Sequence, residues 1–400
     1  MARRDQNFKD AETIRDKNID LFLSPEPTET DCKMAQVATA LFLRCFKGKI
    51  RVHSSGSNRH LRALLEAEGK KMGAVERLDF SPSESGPWRL AIGHHIEGMI
   101  SADASGWSAR INGVFSEKSP AAPPAINFAI ACAVAKLFNH AIFGAHQNAH
   151  ESWDFCLLRF LSGAHIPIQL EEKINLGRIG LLGAGAIGSA LGCVLSISDW
   201  SGVLEVIDYD TYQEPNLETC VFADIQDVNR PLRKALALAE SLKGKNLDTH
   251  ERRCKVEAGA GLLTEPWDAF VCAVDNPETR RILDDANARV LLNAGVGSSK
   301  HDLGWVLWTQ HGQVGQAKLS SLYQADSGME TADAEDVPEE FREECSRISY
   351  QGVSLALPFA GLVAGSLLAA SLFQHAAGKP IPLTFIQMDL FGKQQRMTVR

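Results

Sequence analysis

An apolar strand that breaks into spaced glycines constrains this chain most: Ile179-Gly-Leu-Leu182, then Gly183-Ala-Gly185-Ala-Ile-Gly188, then an apolar helix through Ile197. Each glycine has its own reason. Gly183 permits the tight turn out of the strand, Gly185 lets backbone approach a phosphate, and Gly188 lets the helix pack closely on the sheet. The helix N-terminus then offers unpaired N–H groups and a partial positive charge to an anion. A second predicted strand, 203–207, closes on Asp208, 20 residues beyond Gly188, the distance at which a carboxylate meets a ribose hydroxyl. A third, 269–274, closes on Asp275. The pattern predicts an α/β fold with a doubly wound, Rossmann-like sheet that takes its ligand at the carboxyl ends of its strands.

The 400 residues allow two to four domains. Residues 1–30 are polar and read as an arm; 31–150 read as a first α/β domain and 151–400 as a second. The first domain alternates helix and strand but lacks a glycine-rich phosphate loop; its nearest approach is SSGSNRH at 54–60. No internal repeat is visible in the sequence. Between Asp326 and Glu344 nine acids stand against one base, Arg342, within a polar loop spanning 318–345. A loop of that length inside a domain is usually functional or disordered.

The net charge of −8 argues against nucleic acid or anionic lipid as partner, since both need a basic face. Nine cysteines, an odd number with no CxxC pair, predict a reduced, cytoplasmic protein without a zinc ribbon. One stretch pulls the other way. From 352 to 373 the chain is uncharged and apolar enough to cross a bilayer, with Gly361 and Gly365 at the spacing of membrane helix pairs. Pro358 and the small-residue bias favour a buried helix packed on a sheet, so no membrane partner is expected.

The residues beyond Asp208 narrow the choice of nucleotide. The run Asp208-Tyr-Asp210-Thr-Tyr-Gln-Glu-Pro-Asn216-Leu217 leads to Lys234 heading a helix, then to Val274-Asp275-Asn276 and Arg280. Over residues 175–375 this order resembles the adenylation domain shared by ubiquitin-activating enzymes and the molybdopterin and thiamine sulfur-carrier adenylyltransferases (the ThiF/MoeB/HesA type). The resemblance implies ATP and Mg2+ as cofactors and no zinc. It puts Gly183, Gly185, Gly188, Asp208 and Asp210 in the nucleotide pocket, Asp208 on the ribose, Asn216 and Lys234 on the phosphates, and Asp275 on the magnesium. The family's arginine after the Asn-Leu pair is Thr219 here, so Arg230 or Arg233 must supply that cation, and Arg159 stands in for a second one. Cys345, ahead of Gly352-Val353 and the apolar segment, matches the family's nucleophile for thioester formation.

The resemblance further implies a degenerate, inactive adenylation-like domain ahead of the active one, as in activating enzymes of bacterial antiphage conjugation operons. The implied partner is a ubiquitin-like protein, with a conjugating enzyme and self-association as further possibilities. Three other readings stay open. A sulfur-carrier adenylyltransferase of cofactor biosynthesis uses the same parts. An NAD-dependent dehydrogenase explains the glycine loop and Asp208 but not Asn216 or Lys234. A non-catalytic scaffold fits Thr219 and the acids around Cys345.

Overall fold

The computed structural model describes residues 16–55, 58–144, 151–162, 173–256, 261–274, 277–297, 304–312, 349–350, 353–354, 357–379, 384–391 and 395–399. The chain divides into two units: Met1–Leu157 with short returns at Asp224–Gln226 and Leu390–Gly392, and the remainder.

In the first unit, β1 (Ile19–Leu23), β2 (Ile50–His53), β3 (Leu78–Asp79), β4 (Arg89–Ile92), β5 (Ile100–Ser105), β6 (Ser108–Ile111) and β7 (Trp153–Cys156) form one sheet. Its order is β3-β2-β1-β4-β5-β6-β7. The first five strands run parallel, and β6 and β7 are antiparallel. Helices α1 (Glu29–Cys45), α2 (Arg59–Lys71) and α3 (Pro123–Phe143) accompany it. Proline in the first turn starts α3, where a missing N–H costs nothing, and Gly144 at φ 62° ends it.

The expectation of a polar arm over 1–30 is corrected from residue 19 onward. Ile19–Leu23 pairs with β2 on one side and β4 on the other, with Ile19 and Leu21 wholly buried, and α1 begins at Glu29. Five residues between charged and proline-rich flanks are too few for periodicity to betray a central strand.

The second unit holds β8 (Asn175–Leu182), β9 (Ser201–Ile207), β10 (Leu247–Arg252), β11 (Trp267–Cys272), β12 (Ala288–Val296), β13 (Trp305–Gly312), a small hairpin of β14 (Ser349–Tyr350) with β15 (Val353–Ser354), then β16 (Thr384–Asp389) and β17 (Gln395–Val399). Its main sheet runs β10-β9-β8-β11-β12-β13-β16-β17, again with five parallel strands followed by antiparallel ones. Helices α4 (Ala186–Ser196), α5 (Lys234–Ser241) and α6 (Pro358–Ala376) stand where α1, α2 and α3 stand in the first unit's chain order. The two units are thus one architecture used twice, a Rossmann-like sheet with the crossover order reversing between β1 and β4, and again between β8 and β11.

Both α3 and α6 are long and apolar enough to span a membrane by length and composition, yet both are mostly buried in the fold. In α6 every residue from Pro358 to Gln374 is buried. Its Leu, Val and Phe side chains contribute on the order of 10 kcal/mol gross, before ordering entropy is subtracted. The GxxxG spacing serves a helix pair inside the domain. A Cβ on Gly365 would lie 2.7 Å from backbone of Ala190 and Leu191, and one on Gly361 would lie 3.0 Å from the Ala186 carbonyl oxygen, so α6 lies directly against α4. Gly365→Ala is therefore expected to cost about 1–3 kcal/mol, read as a lower urea midpoint.

Candidate nucleotide site

The glycine loop is built from three close contacts. Gly183 leaves β8 at φ +93°, a conformation costly for other residues, and its N–H donates to the Ile207 carbonyl at 2.9 Å. A Cβ on Gly188 would sit 1.9 Å from the Gly183 carbonyl oxygen, so the first turn of α4 presses directly on the loop. Gly185 differs: no described residue lies within 4 Å of where its Cβ would be. It is the N-cap of α4, and no side chain caps the first N–H groups of that helix.

Asp208, one residue past β9, is only 8% exposed, and both of its oxygens accept backbone N–H groups: Oδ2 from Ala184 at 2.7 Å and Oδ1 from Asp210 at 2.9 Å. The carboxylate therefore clamps the glycine loop to the end of β9, leaving two lone-pair sites for a ligand. Burial pushes its carboxyl above the ordinary carboxylate value, against the pull of the two backbone donors and Lys234. An acid held protonated more tightly in the folded state loses stability as pH rises through its folded-state titration. Asp208→Asn removes that descent but leaves one of two backbone donors without an acceptor, a cost of about 1–3 kcal/mol. The stability gap between wild type and variant is thus expected to be widest in acid and to narrow as pH rises; a gap that widens instead means the two hydrogen bonds outweigh burial.

Asp210 lies on a strap antiparallel to the start of α5. Thr211 bridges Arg233, the Lys234 N–H donates to the Asp210 carbonyl at 3.0 Å, and Lys234 Nζ reaches Asp210 Oδ2, also at 3.0 Å. Lys234 is 5% exposed, so a nearly buried cation is held beside the loop by one partly exposed carboxylate. Asn216 heads the short helix Asn216–Thr219 and is 1% exposed. Its Oδ1 accepts from the Gln213 N–H at 2.9 Å, which fixes the amide, and its Nδ2 has no partner among the described residues. A buried donor left unpaired costs about 1–3 kcal/mol unless a ligand supplies the acceptor.

The cations expected in place of the family arginine are less well placed. Arg233 is tied to Glu251 on β10 at 2.6 Å, Arg230 and Arg159 are exposed, and Thr219 is buried. Arg280, to which sequence reasoning gave no role, donates twice to the Val274 carbonyl, at 2.9 and 2.7 Å, and so anchors the chain just ahead of Asp275. Its place five residues after that acid was the available signal. Asp275, the expected metal ligand, and Cys345, the expected nucleophile, lie outside the described residues, as does the acidic loop 318–345. Among the described residues no three His, Cys, Asp or Glu side chains converge as a metal set. Cys132 and Cys272 are buried as core residues, while Cys193 is only half-buried. Cys254 is half-buried too, and burial pushes its thiol up, the direction that makes it less reactive.

In comparison with known proteins, a family model described as the BilD C-terminal domain matches residues 177–379. An "Adenylyltransferase and sulfurtransferase MOCS3" from Anopheles gambiae is 29% identical over 127 residues, 31% of this chain and 28% of that protein. An "Uncharacterized protein y4jF" from Sinorhizobium fredii (strain NBRC 101917 / NGR234) is 30% identical over 160 residues, 39% of this chain and 29% of that protein. The chain thus covers under a third of the length of these curated relatives. Among solved structures, E. coli MccB with ATP is similar at a TM-score of 0.41 and 16% identity, over 67% of this chain and 70% of that one. MccB with AMPCPP and MccA is similar at 0.41 and 13% identity, over 75% and 94%. The expected ubiquitin-like partner is corrected to this extent: the similar structures that hold a second component hold MccA, not a ubiquitin-like protein.

Proposed function

The chain belongs to the BilD C-terminal domain family, whose model covers residues 177–379 of its 400, and from the chemistry of the site it contains we propose that its second unit is an ATP-dependent adenylyltransferase acting on the C-terminal carboxylate of a small polypeptide. The observation that carries the reading is the unpaired Nδ2 of buried Asn216, taken with a nearly buried Lys234 and a glycine loop without a side-chain cap. Two donors and an open helix end suit a polyphosphate; a nicotinamide dinucleotide gives no use for both Asn216 and Lys234.

In the proposed reaction a carboxylate oxygen of the substrate forms a bond to the α-phosphorus while the bond from that phosphorus to the bridging oxygen breaks. Pyrophosphate leaves with the electron pair. Lys234 and Asn216 stabilise the charge that accumulates on it, in fixed positions that need no reorganisation. Asp208 holds the loop against the ribose side. Asp275 is the residue proposed to hold a magnesium ion, which would neutralise phosphate charge.

The sulfur-carrier reading is favoured among substrate classes by the match to an adenylyltransferase and sulfurtransferase. A second step at Cys345 is proposed alongside it: the thiolate attacks the acyl carbon, a C–S bond forms, and AMP leaves with the electrons of the broken C–O bond. The antiphage role implied by domain order is also a proposal, tested by whether Asp208→Ala removes protection in a phage challenge. The direct test of the function is ATP–pyrophosphate exchange with small-protein and peptide substrates carrying free or amidated C-termini. Exchange that requires the free carboxylate supports the reading. Protection against heating by NAD, with none by ATP, replaces it with a dehydrogenase.

A further inference from the structure

The first unit repeats the second unit's sheet without its glycine loop, and the same corner has been rebuilt differently. In the second unit the helix after the first strand begins at uncapped Gly185. In the first unit the corresponding helix, α1, is closed by its own residues. Asp31 N–H donates to Thr28 Oγ1 at 3.1 Å and Asp31 Oδ2 accepts from the Thr28 N–H at 2.9 Å, a reciprocal capping box with an acid at the helix start. A phosphate has no place there.

The neighbouring corner stays open. Leu182 is level with Ile207 across β8 and β9, so Asp208 stands one residue beyond the pair. Phe22 is level with His53 across β1 and β2; one step on, at Leu23, the last residue of β1, the register falls at Ser54, which makes Ser55 the counterpart of Asp208. The two residues do equivalent work: Asp208 accepts from Ala184 in the β8–α4 loop, and Ser55 Oγ donates to the Pro25 carbonyl in the β1–α1 loop at 2.6 Å. Beside Ser55 lies a hollow open to solvent, about 390 Å³ in volume and lined by Val52, His53, Ser54, Ser55, Phe80, Ser81 and Pro82, large enough to seat a small ligand against one wall.

His53 in that cavity is held in a fixed state. Its Nε2 bonds Oδ1 of Asp20, wholly buried, at 2.7 Å, and its ring stacks on Phe22 at 4.2 Å. Asp20 is itself oriented by Arg51 at 2.8 Å and by the Gly86 N–H at 2.7 Å. With Nε2 committed to the carboxylate, Nδ1 is the remaining ring nitrogen, and no described residue bonds it. A fixed imidazole, the Ser81 hydroxyl, Ser55 Oγ as an acceptor and the Phe80 ring, which carries the Arg62 guanidinium 4.8 Å from its centroid, suit, beside a closed phosphate position, an uncharged ligand with hydroxyls and a flat face.

We propose that the first unit carries a second ligand site, at the cavity where His53, held by buried Asp20, meets Ser54, Ser55, Phe80 and Ser81, and that it binds an unphosphorylated nucleoside. The site does not depend on the adenylyltransferase reading, because none of its residues belongs to the second unit. The test uses the full chain carrying Gly185→Val, which blocks the glycine loop, with adenosine as the probe in isothermal titration. Saturable binding of one adenosine per chain is expected, with ATP binding at least tenfold weaker. Ser81→Tyr, an exposed position that fills the cavity, is expected to weaken adenosine at least tenfold with an unchanged melting temperature; His53→Ala is expected to weaken it as much and also to lower the melting temperature, because buried Asp20 loses a partner. Absence of adenosine binding to the Gly185→Val chain overturns the proposal. So does binding that survives both cavity variants, or ATP binding there as tightly as adenosine.

Discussion

Lys234→Ala is expected to lower ATP–pyrophosphate exchange by about 10²–10³-fold, the loss typical of removing one preorganised charge donor from a transition state, while the protein stays folded. The fold survives because the partner that Lys234 leaves behind is not stranded. The Asp210 side chain is 29% exposed and regains water, so the lost pair contributes little to stability. The reaction does not survive, because a cation only 5% exposed sits where dielectric screening is weak and no solvent substitutes for it. Arg233→Ala is the matched control. Its guanidinium is committed to Glu251, so exchange should fall less than about tenfold. Exchange kept by Lys234→Ala but lost by Arg233→Ala would reverse the assignment of the phosphate cation.

The parts legible in the sequence are those where one residue type is forced by backbone geometry. Gly183 and Gly188 could be read because no side chain fits at φ +93° or 1.9 Å from a carbonyl oxygen, and Asp208 because its distance from the loop is set by one helix and one strand. Lys234 was legible because it starts a helix. Contacts between distant segments were not. The Asp210–Lys234 pair and the Ala184–Asp208 clamp each join residues 24 apart, and the Asp20–His53 pair spans 33. The duplication of the sheet was hidden for the same reason. Strand order is set by which apolar faces must be covered, and IDLFL satisfies that as well as IGLL does while sharing almost none of its residues. The capping box of Thr28 and Asp31 is local and could have been read, but a polar, proline-rich flank looked like an arm.

Two glycines three residues apart should fail in opposite ways. Gly188→Ala is expected to cost about 3 kcal/mol or more, since an added Cβ lands 1.9 Å from the Gly183 carbonyl oxygen and the obstruction is backbone that cannot rotate away. In a unit of this size that cost lowers the melting temperature by roughly 6–12 °C. Gly185→Val should cost much less: its φ of −75° lies outside the left-handed region that demands glycine, and no described residue lies within 4 Å of the new Cβ. The space that makes the substitution tolerable to the fold is the space proposed for the phosphates. ATP affinity should therefore fall at least tenfold, measured by titration at constant pH and salt. If Gly185→Val binds ATP as wild type does, the open side of the loop is not where the nucleotide lies. If it unfolds instead, the loop is packed more tightly than its geometry allows, and the division between a structural and a binding glycine has to be redrawn.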